Sequence, residues 1–125
     1  MINMLSDLVI FQKVYDFLLW LKPTVQRFSK AHKYGLGVDL EKRTLMLLEQ
    51  IVRANLLKNK KPAIEECFVH YEIIKVFVRL AREYNLLGAK QYEYASKELA
   101  KIGRLLGGWH KKFSNIAVPF NGIGG

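Results

Sequence analysis

Residues 89–113 read AKQYEYASKELAKIGRLLGGWHKKF, and this stretch decides the fold class of the chain. Its apolar side chains recur at alternating spacings of three and four residues, at Tyr92, Ala95, Leu99, Ile102, Leu106 and Trp109. That spacing puts them on one face of an α-helix and is typical of the seam between antiparallel helices. The stretch therefore predicts one long helix of a helical bundle.

Three more segments carry a helical period, at residues 6–29, 39–59 and 62–87. Short breaks separate them, and short connections favour antiparallel neighbours. With the helix at 89–113 they predict an all-α protein, an antiparallel four-helix bundle that occupies residues 1–113. Residues 114–125 carry no period, and we expect a loosely ordered C-terminal tail there.

Several local features refine this prediction. Pro23 lies inside the first segment and is expected to kink or divide the helix, because it removes a backbone donor. The basic link 30–37 is expected to be a plain connection, and Gly88 is expected to end the third helix. The second helix is expected to turn one stripe inward, namely Leu45, Leu48, Ile51, Val52, Asn55 and Leu56.

The third helix is apolar over most of its circumference. One face carries nine apolar residues from Ile64 to Tyr84, and Val69, Ile73, Val76, Leu80 and Leu87 are apolar as well. A helix of this kind is buried on two sides, whereas a four-helix monomer buries only one. We therefore expect a homo-oligomer in which the first and third helices supply much of the contact. The alternative is an apolar patch without a partner, which soluble monomers seldom tolerate when it is large.

The charge balance indicates a polyanionic partner. The 125 residues include 20 Lys and Arg against 11 Asp and Glu, a formal net charge of +9. Such an excess favours RNA, DNA, an anionic membrane or an acidic protein. The single cysteine, Cys67, suits a reducing compartment, and the apolar runs suit neither a signal peptide nor a membrane span. We expect a cytoplasmic protein that does not enter a membrane.

The cations form stripes along the predicted helices. On the fourth helix Lys90, Lys97, Lys101, Arg104 and Lys111 lie roughly opposite the apolar seam. A linear array of this kind can follow a phosphate backbone and release counterions from it. The alternative is a cationic face that is merely solvated. The candidate residues for binding nucleic acid or a partner are Lys75, Arg79, Arg82, Lys97, Lys101, Arg104, Lys42 and Arg43.

No arrangement of residues predicts catalysis or a cofactor. The three histidines are far apart in sequence, and Cys67 with His70 forms only half of a metal-binding motif. A glycine-rich phosphate loop, a nucleophile elbow and a paired acid motif are all missing from the sequence. We therefore predict no catalytic residue, no metal and no cofactor.

Beyond these patterns, the order of several motifs resembles a known family. The motifs are Tyr15…Trp20-Leu-Lys-Pro23-Thr-Val25-Gln-Arg27-Phe28, then Leu36-Gly37, then Ala95-Ser…Leu99…Ile102-Gly-Arg-Leu-Leu-Gly-Gly-Trp109. Over about residues 8–113 the chain resembles the accessory variability determinant (Avd) proteins of diversity-generating retroelements. Residues 102–109 are the most specific part of this resemblance.

The resemblance implies a pentameric barrel of four-helix bundles that is not an enzyme. Such a protein binds a reverse transcriptase and its template RNA or cDNA, and supports mutagenic cDNA synthesis. The alternative is an oligomeric scaffold that recruits only proteins, of the type encoded by intervening sequences in ribosomal RNA genes. In a protein of this family, Gly103 and Gly107 are expected to let the backbone of another helix approach closely. The alternative is that Gly107 and Gly108 end the helix.

Overall fold

A computed structural model of the chain describes residues 5–114, with side chains from Val9 onward. The predicted tail at 114–125 lies outside the described residues apart from Ser114. Four long helices make up most of the described part, and it contains no strand: α1 (Leu5–Gln26), α2 (Val38–Leu56), α3 (Lys61–Glu83) and α4 (Ala89–Lys112). The prediction of an all-helical bundle is confirmed.

Each helix packs against two neighbours. Both α1 and α3 contact α2 and α4, so the helices follow the chain around a square. Glu65 and Tyr71 of α3 contact His110 and Leu99 of α4, which shows that these two helices run antiparallel. The core between them is almost entirely apolar, and its largest fully buried side chains include Phe17, Phe68 and Trp109.

The apolar seam of α4 lies in the core as predicted. Ala95, Leu99, Ile102, Leu106 and Trp109 are all buried. The helix also continues through Gly107 and Gly108 to Lys112, so these two glycines do not end it.

The sequence placed the inward face of α2 incorrectly. Ile51 and Asn55 are buried as predicted, but Leu45 is 45% exposed and Leu56 is 64% exposed. The buried face instead includes Thr44, whose hydroxyl donates a hydrogen bond to Leu40 O at 2.8 Å. A threonine that bonds its own helix is buried without an unsatisfied polar group, so a count of apolar residues alone misses this face.

The link before α2 is helical rather than a plain connection. A short α-helical turn (Lys30–His32) and a π-helical turn (Lys33–Gly37) lead directly into α2. Gly37 lies against α1, where an added Cβ would stand 2.6 Å from Val25 Cγ1. The first helix is not divided at Pro23 and continues to Gln26, where it ends three residues before the predicted boundary.

The turn between α3 and α4 also differs from the prediction. Helix α3 ends at Glu83 instead of residue 87, because Asn85 adopts the left-handed conformation with φ of 61°. Gly88 does not end α3 but caps α4, and its amide donates to Gln91 Oε1 at 2.9 Å. The chain therefore turns about four residues earlier than the glycine suggested.

Candidate nucleic-acid interface

A groove runs between α3 and α4 and carries cations on the α3 side. Lys75 and Arg79 are one helical turn apart, so they lie on the same side of α3. They line the groove together with Tyr71 and Glu72, facing Ser96 and Ala100 of α4. The lining also includes the apolar or aromatic side chains of Val76 on α3 and of Tyr92 and Leu99 on α4.

Tyr71 forms the floor of this groove. Its hydroxyl donates to Leu99 O at 2.8 Å and lies against Gly103 Cα. Burial raises the pKa of the Tyr71 phenol to about 12, Glu72 adds to the shift, and Arg104 opposes it. The phenol is therefore neutral and ties α3 to α4. Gly103 makes room for this side chain of its own chain, which contradicts the expectation that it admits a second backbone.

Lys75 is held in place at the edge of the groove. Its ammonium lies 5.0 Å from the centre of the Tyr71 ring and 3.4 Å from the Glu72 carboxylate. Lys75 and Glu72 are both partly exposed to solvent, which screens their charges. Their ion pair therefore contributes little to stability. The effect of these contacts is to orient the charge of Lys75 along the groove.

The outer side of α4 presents a continuous cationic stripe, which we call the α4 stripe. Its four exposed members recur every seven residues and span about 31 Å at 1.5 Å per residue: Lys90, Lys97, Arg104 and Lys111. None of the four forms an ion pair within the part of the chain that the structure describes. Arg79 of α3 is likewise exposed and without an ion pair there. These charges are therefore available to a polyanion.

Besides Lys75, three of the predicted binding residues have partners within the chain. Arg82 Nη1 donates to Leu87 O at 2.9 Å and stabilises the turn after α3. Lys101 Nζ lies 3.0 Å from the Glu98 carboxylate. Arg43 Nη1 lies 3.1 Å from His70 Nδ1. Because a guanidinium only donates, His70 Nδ1 accepts this bond.

The structure thus separates the eight predicted residues into groups. Lys75 and Arg79 line the α3–α4 groove. Arg104 is near enough for its charge to act on the Tyr71 phenol, and it belongs with Lys97 to the α4 stripe. Arg82 and Lys101 stand at the margins with their own partners. Lys42 is exposed on α2, where it lines a different groove, and Arg43 lies at the contact of α2 with α3.

Cys67 and His70, which form half of a metal-binding motif on α3, are in surroundings that do not favour metal binding. Burial raises the pKa of the Cys67 thiol to about 12, so this thiol is protonated and unreactive at neutral pH. Burial and then the charge of Arg43 lower the pKa of His70, which keeps this imidazole neutral. Across residues 5–114 no group of three or more His, Cys, Asp or Glu side chains could hold a metal.

Sequence reasoning missed a second groove, between α1 and α2, which we call the α1–α2 groove. Its apolar lining includes Leu18, Leu19, Tyr34, Val38 and Leu45, of which Leu19 is 59% and Tyr34 is 68% exposed. The seven-residue spacing of Val38 and Leu45 could have revealed it, because exposed apolar residues at heptad spacing indicate helix packing. Leu45 was instead predicted to lie on the inward face of α2.

Fold and surface together define the class: a basic helical bundle with exposed cationic and apolar surfaces. None of the helices that the structure describes combines the length and apolarity needed to cross a bilayer. A family model described as bAvd-like matches residues 8–113, and the chain belongs to this family. The family is an accessory, non-catalytic type of protein related to Avd. Comparisons with curated proteins and with solved structures found no match.

Proposed function

We propose that this protein is a non-catalytic adaptor of a diversity-generating retroelement. It binds template RNA or cDNA together with the element's reverse transcriptase and supports mutagenic cDNA synthesis in the cytoplasm. Membership of the bAvd-like family supports the accessory role. The resemblance to Avd proteins supports the reverse transcriptase as the partner and a barrel of five copies as the assembly.

The nucleic-acid part of this proposal rests on the exposed cations of α3 and α4, which together we call the α3–α4 surface. Arg79 and the α4 stripe provide five exposed cations on adjoining sides of two helices, and none of them forms an ion pair with a side chain of residues 9–114. Each such cation that contacts a phosphate releases counterions, which gives binding a strong dependence on salt. No recognition helix or base-stacking platform stands out on this surface, so we expect backbone contacts that tolerate different sequences.

The test is a charge reversal on this surface. In the double variant Arg79→Glu/Arg104→Glu, affinity for a single-stranded RNA should fall at least about tenfold, and the slope of log affinity against log salt should decrease by about 2. Fluorescence anisotropy across a salt series measures both quantities. Circular dichroism should be unchanged, because neither side chain is buried.

A matched control separates position from overall charge. Arg27→Glu/Arg53→Glu reverses two other exposed arginines and changes the net charge by the same amount. Because these residues lie away from the α3–α4 surface, this variant should keep most of the affinity and the salt slope. Equal losses in the two variants would contradict a binding site on this surface.

The second candidate function is an oligomeric scaffold that recruits only proteins. The exposed apolar lining of the α1–α2 groove favours it, because exposed apolar patches mark contacts with other proteins. Binding of RNA at low salt distinguishes the adaptor from the scaffold. A scaffold would bind its protein partner and show no RNA complex even at low salt, where an electrostatic interface is strongest.

A further inference from the structure

The α3–α4 groove combines an apolar and aromatic lining with charged residues. Its volume is about 480 Å³, which lies within the roughly 300–1,000 Å³ of pockets that bind small molecules. Both helices supply apolar or aromatic side chains to the lining: Tyr71, Val76, Val78, Tyr92 and Leu99. The charged residues of the lining are Glu72, Lys75 and Arg79. A groove of this composition suits a ligand that joins a flat, weakly polar part to an anionic part.

Arg79 supplies the charge of this groove that is available to a ligand. Lys75 lies 3.4 Å from the Glu72 carboxylate, so these two charges largely offset each other. Arg79 is exposed and forms no ion pair with a side chain of residues 9–114. Glu93 follows Tyr92 on α4 but is not part of the lining. The lining therefore keeps one net positive charge, on a guanidinium that can bind phosphate through two parallel hydrogen bonds.

The antiparallel packing of α3 and α4 brings Arg79 level with Tyr92. The hydrogen bond from Tyr71 to Leu99 O fixes the register of the two helices. Arg79 lies eight residues after Tyr71, about 12 Å along α3, and Tyr92 lies seven residues before Leu99, about 10 Å along α4. Because the helices run in opposite directions, both steps lead to the same end of the groove. An aromatic ring and an available cation therefore share that end.

The groove adjoins the α4 stripe across two small residues. On a helix with 3.6 residues per turn, Ser96 and Ala100 come between the buried Leu99 and the stripe members Lys97 and Arg104. Both small residues are exposed and line the groove. A polyanion whose phosphates follow the stripe would therefore pass beside the groove, close enough for a neighbouring part of the same strand to enter it.

We propose that the α3–α4 groove holds one unpaired nucleotide of a single-stranded nucleic acid, with its base against Tyr92 and its phosphate on Arg79. This site rests on the nucleic-acid binding of the proposed function and adds a base contact to the phosphate contacts of the α4 stripe. Stacking on an aromatic ring accepts any base. The hydroxyls of Tyr92 and Ser96 can each donate or accept a hydrogen bond, so they do not restrict the choice of base either.

Two RNAs that differ only in their bases test this proposal. Oligouridylate is compared with an oligonucleotide of the same length that carries abasic ribose at every position. The wild-type chain should bind oligouridylate about fivefold or more tightly, because stacking of one base is worth at least that factor. The slope of log affinity against log salt should be the same for both, because their phosphates are the same. Fluorescence anisotropy measures both quantities.

Two variants assign the preference for bases to the groove. Ser96→Leu/Ala100→Leu fills the groove from exposed positions, and Tyr92→Leu removes the ring but keeps an apolar side chain. The first variant should bind both RNAs with the affinity that the wild type has for the abasic one, and the second should lose most of the preference. Neither should change the salt slope, and circular dichroism checks that both remain folded.

A matched control adds the same two side chains outside the groove. Ala31 and Gly108 are exposed, and an added Cβ at Gly108 meets nothing within 4 Å. Ala31→Leu/Gly108→Leu should therefore keep both the affinity and the preference of the wild type.

Three results would overturn this inference. Equal affinity of the wild type for the two RNAs, with a steep salt dependence, removes the base site and leaves the proposed function intact. A preference for bases that survives in Ser96→Leu/Ala100→Leu places the base elsewhere on the protein. Absence of binding to either RNA at low salt removes the nucleic-acid part of the proposed function as well. In that case, binding of a glutamate–tyrosine copolymer to the wild type but not to Ser96→Leu/Ala100→Leu would assign the groove to an acidic protein.

Discussion

The contact of Tyr71 with Gly103 shows how single residues shape the candidate surface. The phenol crosses from α3 to α4, donates to Leu99 O at 2.8 Å and fills the space that a side chain at position 103 would need. An added Cβ would stand 2.8 Å from Tyr71 Cζ, too close for real atoms. A glycine in the middle of a helix usually weakens it. Here it permits a buried hydrogen bond between the two helices that form the groove.

Paired glycine substitutions test this account of the groove floor. Gly103→Ala should lower the free energy of unfolding by about 1–3 kcal/mol, since Tyr71 must move from a packed site. Gly107→Ala is the matched control, because an added Cβ there meets nothing within 4 Å. It should raise stability by about 0.5–1 kcal/mol through helix propensity. Denaturant unfolding measures both; a similar change in the two variants would argue against the contact.

At the scale of elements, the orientation of each helix about its axis decides which surfaces are exposed. Helix α2 buries a face that contains Thr44, and so presents Val38 and Leu45 to solvent in the α1–α2 groove. Helix α3 has a core face, an outer side on which Val69 and Val76 are exposed, and a side toward α4 that carries Lys75 and Arg79. The exposed cationic and apolar surfaces of the molecule follow from these orientations more than from the loops.

Alanine substitutions in α2 check its orientation. Leu47→Ala should cost about 2–5 kcal/mol of stability, because Leu47 is 1% exposed and its loss leaves a cavity. Leu45→Ala should cost less than about 1 kcal/mol, because nearly half of this side chain is already in water. Thermal or denaturant unfolding compares the two, and a larger loss for Leu45→Ala would restore the orientation that the sequence suggested.

The sequence was most informative where one helix face is purely apolar. Five of the six predicted seam residues of α4 are buried and the sixth, Tyr92, is partly buried. The excess of apolar surface on α3 could also be predicted. The inward face of α2 could not, because Thr44 satisfies its own hydroxyl and looks polar in a count of residues. The roles of Arg82 and Arg43 were equally hidden, since their partners are Leu87 O and a distant imidazole that only folding brings near.

At the scale of the whole molecule, the cationic and apolar surfaces lie on different sides of the bundle. The cations that line the α3–α4 groove lie apart from the α1–α2 groove. In the proposed barrel of five copies, the cationic surface would be repeated around the assembly. Several such surfaces on one particle would raise the avidity for a long RNA well above the affinity of one copy.

The central claim, that this chain joins a reverse transcriptase to its template, is tested most directly by recovery from the cells that naturally encode it. Affinity-tagged full-length chain would be purified after ultraviolet cross-linking, and its RNA and protein partners identified by sequencing and mass spectrometry. The account predicts a reverse transcriptase together with the template RNA of a variable repeat, and much less of that RNA with Arg79→Glu/Arg104→Glu. Recovery of protein partners alone, without that transcriptase and RNA, would contradict it.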